Sequence, residues 1–339
     1  MTDFREMLVP FTASPMCFFA FVSVLALMLV NGWTDAPVNI ATAIHSGAVG
    51  TRSAVILSAV CNFFGAGAMA LGGSSVAVSL YSISGLGEVK DHALTAVTAS
   101  FISVVLWALL ALKLGLPTSE SHALMAALSG SAVAVQGLSA INGTEWLKAL
   151  LGILLSTVPV TVVTFLAANA FKRQSALTDS TFKKLQVVGA ALSSFSHGAQ
   201  DGQKLAGVLA LTSVLCANTQ ADRIGVPIWT VLTSALVISL GTLLGGRKII
   251  KRFSEFAPDD PKSGFGSDLV SAVSLCILAA LGLPASTTHA KSSAVLGAGL
   301  TNRRLSEQVR SFKSMAVVWL LTFPVSAALG FVLTKCLCR

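Results

Sequence analysis

Apolar stretches long enough to span a bilayer recur along the whole chain, separated by short polar links. The first covers residues 8–49. It is too long for one straight crossing, and its breaks near Asn31-Gly32 and Pro37 predict a broken helix or a helix followed by a re-entrant piece. Residues 54–73 form the next span, closing on Gly72-Gly73. A mixed segment, 74–92, precedes two apolar arms, 93–114 and 118–136, joined at Gly115-Leu116-Pro117. A span over 147–171 and a basic loop over 172–184 follow. The plan then returns: a long stretch 185–216 interrupted at His197-Gly198, a span 226–246, and a polar, charged loop 247–264. Arms at 269–283 and 286–300 meet at Pro284, and a last span covers 315–333. Each late arm is about 15 residues, near 23 Å of helix. That is short of a bilayer core roughly 30 Å thick, so the pair reads as a re-entrant hairpin with its tip inside the protein.

Composition agrees with the pattern. The chain is 54% hydrophobic and 11% charged, with a mean hydropathy of +0.78. Soluble domains carry about 25% charged residues. The fold class expected is an all-α polytopic membrane protein, without a soluble domain or a removable signal peptide. The six cysteines read as small buried hydrophobes, and no phosphate-binding P-loop is present.

Two motifs are doubled. Gly115-Leu116-Pro117-Thr118-Ser119-Glu120-Ser121-His122-Ala123 returns as Gly282-Leu283-Pro284-Ala285-Ser286-Thr287-Thr288-His289-Ala290, and Gly130 and Gly297 follow at equal distance. Upstream, Gly32-Trp33-Thr34-Asp35 is echoed by Gly198-Ala199-Gln200-Asp201. Asp35 precedes Pro117 by 82 residues and Asp201 precedes Pro284 by 83. The chain therefore divides into two related halves, 1–171 and 185–339, around the basic linker 172–184.

Charge orients the halves. With three crossings and one returning hairpin per half, the halves insert in opposite orientations. Placing the linker and the loop 247–264 in the cytoplasm puts 14 of the 23 basic residues inside and six outside (Arg5, Lys90, Lys148, Arg223, Lys335 and Arg339). Both termini then face outward. The net charge of +8 needs no nucleic-acid partner; the lipid bilayer is the partner it implies.

The ionisable residues left within the spans carry the candidate chemistry. They are Asp35, Glu120 and Asp201, Lys204 and Lys291, and His45, His122, His197 and His289, each in or near a doubled motif. A charge at bilayer depth costs at least about 2.5–3.5 kcal/mol and marks function by default. Thr118, Ser119 and Ser121, and Ser286, Thr287 and Thr288, follow a proline and open an apolar arm. They read as caps and as anion ligands, because a helix N-terminus offers free N–H groups and a positive dipole end. Two such tips from inverted halves would meet near the midplane around an oxyanion, with Asp35 and Asp201 holding a cation or proton.

These motifs resemble the inorganic phosphate transporter (PiT) family of low-affinity phosphate:cation symporters. The G-x-N-D-type motif corresponds to Gly32–Asp35 and Gly198–Asp201, and the G-L-P-x-S-x-x-H-A type to Gly115–Ala123 and Gly282–Ala290. The stretch from Ser196 to Lys204 looks close to the bacterial form of the second motif. The resemblance covers essentially the whole chain. It implies an inverted-repeat carrier of inorganic phosphate in a prokaryotic cytoplasmic membrane, with Ser119, Ser121, Ser286, Thr287 and Thr288 on phosphate and Asp35 and Asp201 on the coupling ion. Sodium at the two aspartates is one option, and the family pattern places asparagine before each. Here Thr34 and Gln200 stand there, and Glu120 and Lys291 are also departures. The altered oxygen set unsettles a sodium site, and a buried carboxyl such as Glu120 suits a proton carrier. Proton coupling is therefore the expectation, with His122, His289, Lys204 and Lys291 as supporting residues and no cofactor. A sulfate permease on the same scaffold is the alternative. A divalent-metal carrier using Asp35, Asp201, His122 and His289, a non-transporting scaffold and an enzyme are less well supported. A homodimer is expected by analogy alone.

Overall fold

A computed structural model describes residues 14–69, 92–217, 226–301 and 305–338. Gly72-Gly73, the mixed segment 74–91 and Arg223 lie outside the described residues. The described residues hold α-helices, one short 3-10 turn and connecting loops, without a strand. In chain order the helices are α1 (Pro15–Thr34), α2 (Val38–His45), α3 (Thr51–Met69), α4 (Ala93–Leu114), α5 (Glu120–Gln136) and α6 (Gly143–Arg173). They continue as α7 (Asp179–Ala217), α8 (Ile228–Leu243), α9 (Arg247–Ser254), α10 (Pro261–Ala280), α11 (Thr287–Gly299) and α12 (Leu305–Leu337).

Five stretches among them are long and apolar enough to cross a membrane: Pro15–His45, Ala93–Leu114, Gly143–Arg173, Pro261–Ala280 and Met315–Leu337. The pair α8 and α9, bent by 70°, makes a sixth if it counts as one span. Gly245 and Gly246 supply that bend, with φ of 84° and 42°. The outer faces are apolar, as a lipid-facing surface requires, and Phe64, Leu166 and Leu320 stand exposed. The interior inverts the rule for soluble proteins: serines, threonines, carboxylates and lysines are fully buried there.

The doubled tip motif has one local explanation in both copies. Gly115 and Gly282 take φ of 69° and 68°, the left-handed conformation that closes a helix. Their N–H groups donate to Leu112 and Ala279, and those of Leu116 and Leu283 reach back to Ala111 and Leu278 at 2.9 and 3.0 Å. The prolines then stop the chain, and Ser119 and Ser286 accept the N–H of His122 and His289 at 3.4 and 3.2 Å, capping α5 and α11.

Three expectations need correction. The stretch 185–216 is not interrupted at His197-Gly198, because α7 runs unbroken through 39 residues. The first copy breaks because Pro37 has no N–H for the carbonyl of Trp33, and α7 contains no proline. The loop 247–264 is largely helical. Ile249, Ile250 and Phe253 bury one face of α9, and α10 already begins at Pro261, capped by Asp260. The leading arm of the second hairpin is thus 20 residues, about 30 Å, where about 15 were expected. Its polar residues Ser263, Ser267 and Asp268 face protein, so a loop-like composition hides a buried helix.

Glycines set the closest helix contacts, and they do so in reciprocal pairs. Gly32 of α1 rests against the Ile238 carbonyl of α8, and Gly241 of α8 rests against the Leu29 carbonyl of α1. Gly65 and Gly198 meet Phe195 and Asn62 across α3 and α7 in the same way, as do Gly130 and Gly330 with Ala327 and Ala127 across α5 and α12. The motif glycine Gly297 likewise meets the Thr161 carbonyl of α6. Backbones this close leave no room for a Cβ. Gly241→Val should separate α1 from α8 and cost about 1–3 kcal/mol. It should lower the midpoint of thermal unfolding in detergent, while Gly67→Ala, with open space around it, leaves the midpoint unchanged.

Candidate functional site

Both capped tips, the α1–α2 break and the middle of α7 converge on one closed polar centre. Asp35, Glu120 and Asp201 are each 3% exposed or less. Asp35 occupies the break after α1, beside Glu120 at the start of α5. Its Oδ1 has no hydrogen-bond partner. The Thr34 hydroxyl binds the Glu120 carboxyl through Oε1, and Glu120 Oε2 is unpartnered. Asp201, on α7, is more fully held. Lys204 Nζ donates to Oδ1 at 2.8 Å, and Asn31 and Thr287 donate to Oδ2 at 3.2 and 3.3 Å. His197 Nε2 lies 3.4 Å from the same oxygen, while its Nδ1 pairs with Asn62 at 2.9 Å.

The six hydroxyl residues at the tips divide into distinct tasks. Ser119 and Ser286 cap their helices. Ser121 accepts from Lys204 at 2.8 Å, and Thr287 donates to Asp201. The Thr288 hydroxyl is buried and unpartnered. Thr118 is engaged elsewhere in the interior: it accepts from Trp107 at 2.9 Å and shares a hydrogen bond with Thr322. Gln200 also leaves the carboxylates, donating to the Leu275 carbonyl at 3.2 Å.

His122 and His289, equivalent in the two motif copies, lie against each other with ring centroids 4.5 Å apart and planes tilted by 39°. Phe323 lies against His122 and Trp319 against His289. The imidazole grouped with the carboxylates is His197: Asp35, His197 and Asp201 each bring a ligand atom within 4.8 Å of the others. Lys291 does not join this centre. It forms a wholly buried ion pair with Asp268, and the Thr42 hydroxyl donates to the same carboxylate at 2.6 Å.

Sequence reasoning passed over Asn31, Asn62 and Asp268. Asn31 stands four residues before Asp35, as His197 does before Asp201, and that equivalence was available in the repeat. Asn62 lies alone in an apolar span, itself a signal. Asp268 was hidden because it falls between the polar loop 247–264 and the arm 269–283, on neither element. Breaking the Asp268–Lys291 pair on one side leaves a lone buried charge, at a cost of about 3–5 kcal/mol. Lys291→Met should therefore greatly reduce folded protein in detergent. The double variant Asp268→Leu/Lys291→Met should recover most of it by size-exclusion chromatography.

Buried carboxylates ringed by hydroxyls and helix ends, at the centre of a lipid-facing bundle, define a membrane carrier for small polar ions. A family model described as "Phosphate transporter family" matches residues 31–176 and 157–330. The chain belongs to this family. It is 31% identical over 315 residues to a probable low-affinity inorganic phosphate transporter of Bacillus subtilis, covering 91% of this chain and 93% of that one. A probable low-affinity inorganic phosphate transporter of Rhizobium meliloti is also 31% identical, over 89% and 90% of the two chains. A solved structure, "The sodium-dependent phosphate transporter", shares the fold with a TM-score of 0.79 at 21% identity, over 96% of this chain and 99% of that one. The family is one of transporters, not enzymes.

Proposed function

We propose that this chain carries inorganic phosphate across the membrane together with protons. The supporting observation is the charge count at the closed centre: three carboxylates, Asp35, Glu120 and Asp201, face one ammonium, Lys204. Entry of a phosphate anion adds negative charge to a site with little water to screen it. The anion therefore enters with cations, and the carboxyl groups are their carriers. Protons fit these carriers better than sodium does. The Thr34 oxygen is engaged by Glu120, so it does not stand free beside Asp35 as a hard-cation ligand, while Gln200 turns its Nε2 to the Leu275 carbonyl and leaves its Oε1 without a partner. Sodium coupling is the second reading, favoured by relatives named as sodium-dependent. One of these, from Pongo abelii, is 32% identical over 44% of this chain and 22% of its own length.

Ser119, Ser121, Ser286, Thr287 and Thr288 are the phosphate ligands in this reading, and the α5 and α11 N-termini add backbone N–H groups. Thr118 belongs to the support of the first tip. The reciprocal helix packing and the matching turn and cap of the two tips favour two inverted halves, 1–171 and 185–339, with both termini outside. These would exchange conformations so that the centre opens to one side and then the other.

The test is radiolabelled phosphate uptake into proteoliposomes, with proton and sodium gradients imposed separately and sulfate as competitor. Uptake should follow the proton gradient and resist sulfate. Asp35→Asn and Asp201→Asn should each abolish it. Glu120→Gln should lose accumulation by about tenfold or more while retaining phosphate–phosphate exchange, because exchange returns the carrier loaded. A strict sodium requirement in the unaltered protein overturns proton coupling. Movement of sulfate in place of phosphate overturns the substrate.

A further inference from the structure

The two doubled aspartates are equivalent in sequence but not in charge environment. Three residues after Asp201 comes Lys204; three residues after Asp35 comes Val38. Lys204 is 2% exposed and lies on the unbroken α7. Its ammonium makes three contacts: Asp201 Oδ1 at 2.8 Å, Ser121 Oγ at 2.8 Å and the Ala285 carbonyl at 2.6 Å. These use all three of its N–H donors. The three oxygens come from three elements, namely α7, the start of α5 and the second tip. A carboxylate, a hydroxyl and a backbone carbonyl converging on one point are the donor set that a hard cation takes.

At Asp35 the picture reverses. Val38 is buried and apolar, and the carboxyl Oδ1 is buried with no donor. One aspartate carries a cation built into the chain; the other leaves an open position.

We propose that the Lys204 ammonium is a tethered cation, holding at Asp201 a place that an exchangeable ion would otherwise take. The carrier then has one mobile cation position, at Asp35 and Glu120, where a symmetric site would have two. This deepens the reading of the centre as an ion-coupled phosphate site and rests on it for its consequence in transport. The cation site itself stands on the three contacts of Lys204. Because the ammonium cannot leave its helix, it adds fixed charge for binding the anion but no net charge movement per cycle. Its covalent tether also means that this position requires no ion from solution.

The prediction is that removing the ammonium uncovers a sodium site. The probe is sodium chloride against choline chloride at equal ionic strength, with two readouts. The first is thermal unfolding of the purified protein in detergent, which needs no transport. The unaltered protein and Lys204→Arg should show no sodium-specific shift. Lys204→Met and Lys204→Gln should be stabilised by sodium in a saturable way, as expected for a ligand that binds only the folded state. The double variant Asp201→Asn/Lys204→Met, with the carboxylate also removed, should lose the response. The second readout is phosphate uptake in proteoliposomes. Sodium should stimulate uptake by Lys204→Met at least severalfold and leave the unaltered protein unaffected.

Three results overturn the proposal. One is a Lys204→Met protein that folds and shows no sodium response. Another is one whose half-saturating phosphate concentration rises tenfold at every sodium concentration, which makes Lys204 an anion ligand. The third is failure of both neutral variants to fold in sodium and choline alike, which makes the ammonium purely structural; folding in sodium alone supports the proposal. If the unaltered protein moves no phosphate, the functional reading fails, and the detergent experiment still decides the cation site.

Discussion

The fold is governed by the need to compensate charge where water is absent. Asp35, Glu120, Asp201 and Lys204 lie at one centre, and Asp268 and Lys291 form a second buried group. Each would be costly alone in a low-dielectric interior. Elements from both halves of the sequence must meet to satisfy them. Asp201 draws on Asn31 from α1 and Thr287 from α11, and Lys204 reaches both tips. The Asp268–Lys291 pair binds α10 to α11, and Thr42 adds α2. The polar centre is thus the joint that fixes the helices around it.

Around that joint, the glycine contacts set how near the helices come. Packing apolar helices in lipid has no hydrophobic drive of the kind found in water, so close backbone contact and hydrogen bonds do the holding. The reciprocal glycines place α1 on α8, α3 on α7 and α5 on α12. Each pair joins a helix from the first half of the sequence to one from the second. An opening of the centre would therefore involve sliding along or parting these contacts, with the tips carried on the second arms α5 and α11.

The two copies of the repeated sequence are not built alike throughout. The tips are built alike to within a few tenths of an ångström in their capping bonds. The aspartate-bearing helices are not: Pro37 breaks the first, while the second continues and places Lys204 one turn beyond Asp201. A broken helix frees backbone groups and leaves the Asp35 carboxyl open; an unbroken helix holds an ammonium in fixed register. Symmetry of sequence thus yields two unequal charges at one centre.

The sequence by itself determined the class, the family resemblance and the tip motif. These depend on local codes: hydropathy over a span's length, and glycine, proline and serine at positions where φ, a missing N–H and a capping hydroxyl are required. It also marked the intramembrane charges of the centre, though not Asp268, because any such charge is costly. Tertiary structure alone decided which of them meet. Lys204 and Lys291 look equivalent as buried lysines, yet one closes the central carboxylates and the other pairs with Asp268. Thr118 and Gln200 sit in the motifs but turn to Trp107 and Leu275. The course of α7 through His197-Gly198 and the start of α10 at Pro261 were likewise hidden, since glycine and polar residues read as breaks until a packed neighbour is known. Partners distant in the chain set these outcomes, and no local pattern encodes the direction of a side chain across a helix interface.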